Sequence, residues 1–225
     1  MDISLILENW QLFAMGLWNT IWLVTVSLIV GGLLALPLAM SQAFNVPIAG
    51  RISYWFSYSF RGTPLLVQLY LIYYGLGQFD FIRESFLWVF LKNAYVCALI
   101  AFSLNSAAYA SEIIRGAICQ VPKNLIETAH AMGMSEFQVI RRIILPIAYR
   151  RSIFAYSNEV IFMLHGSVLA STITIIDLLG AGRKLNISYY VTFEGFVTAA
   201  VLYMAIVFLI SMGFRVIEKK YAIDR

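Results

Sequence analysis

The chain has 225 residues, 61% of them hydrophobic and only 12% charged, with 16 Lys and Arg against 12 Asp and Glu. Soluble domains carry about 25% charged residues, so this composition excludes a single water-covered core and points to a polytopic membrane protein. Cys97 and Cys119 are too few and too ill-spaced for a zinc site or a disulfide framework and read as free thiols.

Asp2 and Glu8 stand before the first apolar run, where a signal peptide would carry Lys or Arg. The first apolar segment is therefore expected to be a retained span. No Asp, Glu, Lys or Arg occurs from Asn9 to Gly50. About 20 apolar residues cross roughly 30 Å of hydrocarbon, which places a first span near 17–40, with Pro37 able to kink it, and a turn at SQAFNVPIAG. Further spans are expected near 53–78, 87–110, 153–176 and 195–214, with a polar segment over 111–150. No internal repeat or separate soluble domain breaks the chain, so 1–225 reads as one all-α transmembrane domain.

Five spans put the termini on opposite faces. With the N-terminus outside, the inner segments hold twelve of the 16 Lys and Arg, including Arg225, and the outer ones hold Arg83, Lys92, Arg183 and Lys184. The positive-inside rule then favours N-out, C-in, with 111–150 in the cytoplasm.

Within that segment, VPKNLIETAHAMG predicts a helix opening near Pro122, with Leu125, Ile126, Ala129 and Met132 as an apolar stripe. Gly133 suits a left-handed C-terminal cap. Ser135 with Gln138 has the form of a capping box and starts a second helix, whose apolar face is Phe137, Ile140, Ile143 and Ile144. Pro146 ends this helix or hinges it into the next span. The hairpin lacks aromatic–basic interleaving, which argues against nucleic acid. Its stripe must pack on the protein's own helices or dock into a partner.

Glu159 falls in the fourth span. A carboxylate at mid-membrane depth costs roughly 2.5–3.5 kcal/mol on insertion scales, and such residues usually face a cavity and act in function. A guanidinium or ammonium substrate would supply the countercharge. Asn158, Ser157 and Ser167 are candidate neighbours in substrate binding. The alternative role for Glu159 is an ion pair with Arg150, Arg151 or another subunit. His165 lies about 120° around the helix from Glu159 and reads as an interhelical hydrogen bonder, as does Asn105. Glu112 and Arg115 read as a local pair, Arg61 as a snorkelling or capping residue, and Arg61-Gly62-Thr63-Pro64 as a structural turn. There is no G-x-x-x-x-G-K-[ST], no metal-ligand spacing and no G-x-S-x-G, so the chain is expected to be no enzyme and to bind no cofactor of its own.

Glu127-Thr128-Ala129, then Gly133, then Ile143-Ile144-Leu145-Pro146 resembles the EAA motif of ABC importer permeases, departing from it only at Thr128. FRGTPLLVQL, LNSAAYASEIIRGAI, SNEVIFMLHGSVLA and DLLGAGR are similar to the polar-amino-acid importers, most of all the M-type permease of the basic amino-acid (histidine/lysine/arginine/ornithine) systems. The resemblance implies the type I importer permease fold in a bacterial inner membrane. It makes the hairpin a coupling helix seated on an ATPase. It further implies a Q-type permease partner, two ATP-binding subunits that carry ATP and Mg, and a periplasmic binding protein. The implied substrate class is basic amino acids. A neutral polar amino-acid importer remains an alternative, and an ion-coupled secondary transporter a more distant one.

Overall fold

A computed structural model describes residues 3–221; Asp2 and Arg225, used above for the leader and charge arguments, lie outside the described residues. Among the described residues the regular structure is entirely helical. In chain order, α1 is Ile3–Glu8, α2 Trp10–Ala43, α3 Ala49–Gly62 and α4 Leu65–Tyr70. Short α5 (Asp80–Arg83) and α6 (Trp88–Leu91) precede α7 (Ala94–Cys119). The hairpin is α8 (Lys123–Ala131) and α9 (Glu136–Val139), and α10 is Leu145–Ser167. The chain closes with α11 (Leu178–Tyr189) and α12 (Thr192–Tyr221).

Among the described residues, four helical stretches are long and apolar enough to cross a membrane: Trp10–Ala43, Ala94–Cys119, Glu136–Ile173 and Thr192–Lys220. The segment expected as the second span is not one helix. It breaks at Thr63 and Pro64, which are both extended, with ψ of 139° and 136°. Proline disfavours helical conformation in the residue before it. It also has no N–H for the carbonyl of Phe60, four residues back. Gln68 makes good that loss: its Nε2 donates to Phe60 O at 2.7 Å and to Thr63 O at 3.0 Å. Beyond Tyr70 the segment continues as a π-helical turn, Leu71–Gly75. The third span starts later than expected, at Ala94, because Asn93 caps it by accepting the Tyr95 N–H.

Pro37 sits inside α2 without ending it. Pro146 does not end its helix either. The helical path runs from Glu136 to Ile173, with a π-helical turn at Ile140–Ile144 just ahead of the proline. The π register is where the hydrogen-bond ladder adjusts to the donor Pro146 lacks.

Lipid tails are as apolar as leucine, so helices here associate by close packing and polar contacts. The buried face of α2 is rich in small residues, Gly16, Thr20, Ser27, Gly31, Ala35 and Ala39, beside Phe13, Leu23 and Val24. Its Gly16 and Thr20 meet the start of α11, and Gly31 meets α7, whose buried face includes Ala98, Ala101, Ser106 and Ala110. A Cβ at Gly31 would meet the Ser106 Cβ at 2.7 Å, so only glycine permits that approach. Gly182 of α11 and Gly195 of α12 meet backbone to backbone in the same way. Hydroxyls tie α2, α3 and α7 together, with Ser41 to Ser53 at 2.8 Å and Ser57 to Ser111 at 2.9 Å. Leu23, Leu69, Phe102, Met163, Leu164 and Ile173 fill the main core. Trp18, Leu33, Phe208 and Leu209 point outward, as lipid-facing residues do.

Candidate functional site

Three elements build a cavity of about 590 Å³ around Glu159. The α3–α4 break contributes Arg61, Thr63, Pro64 and Leu65; α7 contributes Asn105 and Tyr109; α10 contributes Glu159, Phe162, Met163 and Gly166. The break is what brings backbone and polar groups to this depth, since an unbroken helix would present only its apolar sides. Gln68 links the first two elements, because its Oε1 accepts from Asn105 Nδ2 at 3.0 Å. Asn105 thus makes the interhelical bond expected of it. Gly166 leaves room for Leu65, whose Cδ2 lies 2.9 Å from where a Cβ would stand.

Glu159 is only 5% exposed, and no described residue hydrogen-bonds or ion-pairs with it. Arg151 instead donates to Gln120 O at 2.6 Å, and Arg150 is exposed. The ion pair with either arginine is therefore not made. A buried carboxylate without a countercharge is costly, and an open cavity beside it is where a cation can supply one.

The other candidate residues on this helix are not gathered there. Asn158 is exposed and does not line the cavity. The Ser157 hydroxyl donates to Phe154 O at 2.7 Å, and that of buried Ser167 to Leu164 O at 2.7 Å. His165 is exposed and makes no hydrogen bond to any described residue, so the expected interhelical bond is absent. Sequence reasoning missed Tyr109 and the Thr63–Pro64 break as parts of the cavity, and Gln68 as the brace behind them. The signal was present in a Thr-Pro step inside an apolar window followed by a buried-type glutamine.

A second cavity of about 520 Å³ lies next to the first and shares Arg61 with it. Gln42, Arg51, Tyr54, Glu112 and Arg115 also line it. Arg115 pairs with Glu112 one turn away, its Nε 3.0 Å from both carboxylate oxygens. Arg61 approaches the same carboxylate at 3.8 Å.

The hairpin has two faces. Ala129, Val139 and Ile144 are buried, with Ile126, Ile140 and Ile143 packed around them, against Ile118, Val121 and the end of α2 at Met40 and Phe44. Leu125, Met132 and Phe137 face outward, at 42%, 78% and 69% exposure. The stripe foreseen in the sequence thus packs on the protein's own helices along one side and leaves an exposed apolar side on the other. Gly133 turns the chain at φ +79°, a left-handed conformation. Ser135 N–H donates to Gln138 Oε1 at 2.9 Å, completing the capping box. His130 Nε2 lies 3.5 Å from Glu136 Oε1 across the turn. Glu127, Thr128 and Pro146 are exposed, and the Thr128 hydroxyl donates to Asn124 O at 2.7 Å.

Residues 27–223 match the family described as binding-protein-dependent transport system inner membrane component. The chain belongs to this permease family. The permease is 42% identical over 212 residues to the octopine transport system permease protein OccM of Rhizobium radiobacter, covering 93% of this chain and 86% of that protein. Against the histidine/lysine/arginine/ornithine transport system permease protein HisM of Escherichia coli (strain K12), identity is 42% over 207 residues, covering 92% and 87%. Its fold superimposes with a TM-score of 0.88 on a solved amino acid ABC transporter with histidines, at 30% identity and covering 98% and 99% of the two chains. The MetNI methionine ABC transporter in an inward-facing conformation shares the permease fold, with a TM-score of 0.75 at 19% identity.

Proposed function

We propose that this permease is one of the two membrane subunits of an ATP-driven importer of basic amino acids, and that Glu159 holds the cationic end of the substrate. The carrying observation is a buried carboxylate with no protein countercharge on a cavity of about 590 Å³. The names of the M-type relatives support the substrate class, since histidine, lysine, arginine, ornithine and octopine all bear cationic groups. Asn158, Ser157 and Ser167 are proposed as secondary contacts that a partner chain or an altered conformation brings to the substrate. In the wider assembly we place a Q-type permease, two ATP-binding subunits that carry ATP and Mg, and a periplasmic binding protein.

The chain sits in a bacterial inner membrane with its N-terminus outside and the hairpin in the cytoplasm. The broken 49–78 segment makes the fifth crossing. The exposed face of the hairpin, with Glu127, Thr128 and Gly133 shaping its turn and Ile143 and Pro146 joining it to α10, transmits ATPase closure to the cavity. Closure opens the cavity outward; hydrolysis resets it inward.

Uptake of arginine, histidine and glutamine by the reconstituted complex tests this, with wild type and Glu159→Gln. The expected result is ATP-dependent arginine uptake that falls at least about tenfold in the variant while the complex still assembles, a loss of roughly 1.4 kcal/mol or more. ATP-dependent uptake indifferent to Glu159 moves the substrate site elsewhere. Uptake without ATP overturns the importer reading.

A further inference from the structure

We infer that Arg61 is a switchable counterion: its guanidinium exchanges between Glu112, which holds it in this structure, and Glu159, from which a cationic substrate must displace it. The inference rests on the reading that Glu159 receives the substrate's cation. It explains why Arg61 belongs to the lining of both cavities.

The geometry favours a moving side chain on a fixed backbone. Tyr109 OH donates to Arg61 O at 3.4 Å, and Gln68 holds the carbonyls of Phe60 and Thr63 on either side. The side chain itself is loosely held. It lies 3.8 Å from Glu112, its Nε reaches Ser57 O only at 3.3 Å, and 35% of it is exposed. Glu112 does not depend on Arg61, because Arg115 of the same helix grips both its oxygens at 3.0 Å. When Arg61 leaves, Glu112 stays neutralised. Glu159 has the opposite status, buried with no described partner. A guanidinium fork matches a carboxylate in two parallel bonds, so Arg61 offers Glu159 the same group that an arginine substrate would. With Arg61 turned to it, the carboxylate is paired between transport cycles, and a stray inorganic cation meets an occupied site.

The test is equilibrium binding of labelled arginine and of glutamine to the purified membrane complex, without ATP and without added binding protein. The variants are Arg61→Gln, Arg61→Lys, Glu112→Gln, Glu159→Gln and the Arg61→Gln/Glu159→Gln pair. If Arg61 occupies Glu159 nine-tenths of the time, its removal tightens arginine binding about tenfold, since apparent affinity scales with the competent fraction. Arg61→Lys gives a smaller gain. Glu112→Gln removes the competing partner and weakens arginine binding, a change of opposite sign. Glutamine binding stays within about twofold throughout. In the Glu159→Gln background, Arg61→Gln changes nothing.

Unchanged or weaker arginine binding in Arg61→Gln overturns the inference, as does a gain that persists without Glu159. Should Arg61→Gln fail to assemble, unchanged arginine binding in Glu112→Gln overturns it as well. If Glu159→Gln leaves arginine binding intact, the substrate reading falls. If Glu159→Gln weakens binding but the Arg61 and Glu112 variants do not shift it, only the counterion role falls.

Discussion

Asp177 shows how a single buried polar residue can be both anchor and liability. It is fully buried, and its Oδ1 accepts from Gly180 N–H at 2.8 Å to start α11 while Oδ2 accepts from Tyr203 OH at 3.1 Å. Burial pushes its carboxyl up from 3.8 to about 6, against the pull of those bonds. Between these two values the folded protein holds a proton that the unfolded chain has released. The contribution of this group is therefore greatest below about pH 4, is lost as pH rises through 6, and is flat above. Asp177→Asn keeps an acceptor for Gly180 and a partner for Tyr203 without the ionisation. Its melting temperature, relative to wild type in detergent, is expected to rise from pH 5 to pH 7.5, by about 2–4 °C for each kcal/mol recovered. A gap that shrinks over that range contradicts the assignment. Glu159 was legible in the sequence because a lone carboxylate in an apolar window is conspicuous. Gln68 was not, because its task, replacing a proline's missing N–H, exists only once the backbone around Thr63 has broken.

Among the elements, the hairpin was the most legible, since capping residues and helical spacing are local signals. Which side of it faced inward was not legible. Leu125, Ile126, Ala129 and Met132 all fit one stripe, yet Ile126 and Ala129 pack on the end of α2 and α7 while Leu125 and Met132 stay exposed. The two faces predict two phenotypes. Phe137→Asp is expected to leave the melting temperature of the permease within about 1 °C, as surface changes usually do. It should reduce copurification of the ATP-binding subunit at least about tenfold, as loss of an aromatic anchor does at interfaces. Val139→Asp buries an unpaired carboxylate and costs several kcal/mol of fold stability, so the permease itself should fail to accumulate. Equal loss of stability in both variants would remove the distinction between faces. The second span was legible at 53–78, as was its Arg61–Pro64 turn, but a window average runs through such a step and so did not show that the turn divides the span into two helices.

At the scale of the whole molecule, the all-helical class followed from composition alone. The arrangement did not. It rests on small residues such as Gly31, Gly182 and Gly195, whose meaning depends on what stands opposite. The two cysteines give a direct test of orientation. Cys97 is buried and Cys119 exposed, at the hairpin end of α7. A membrane-impermeant maleimide should label Cys119 in inside-out vesicles and not in intact spheroplasts. Labelling from outside would invert the topology and place the hairpin on the wrong side for any ATPase.

The π-turn at Ile140–Ile144 sets a phase. Glu136–Ile173 is one helical run, so Phe137 and Glu159 ride on the same shaft, about 33 Å apart at 1.5 Å per residue. Each residue along such a shaft turns it by about 100°. The wide turn thus fixes the azimuth of the exposed hairpin face against that of the cavity, and on the proposed coupling role it acts as a sleeve between them. Removing one residue there would leave both faces intact and chemically unaltered, yet rotate one away from the other by more than a quarter turn. In the proposed cycle the thrust of an ATPase would still reach the shaft, but out of time with Glu159.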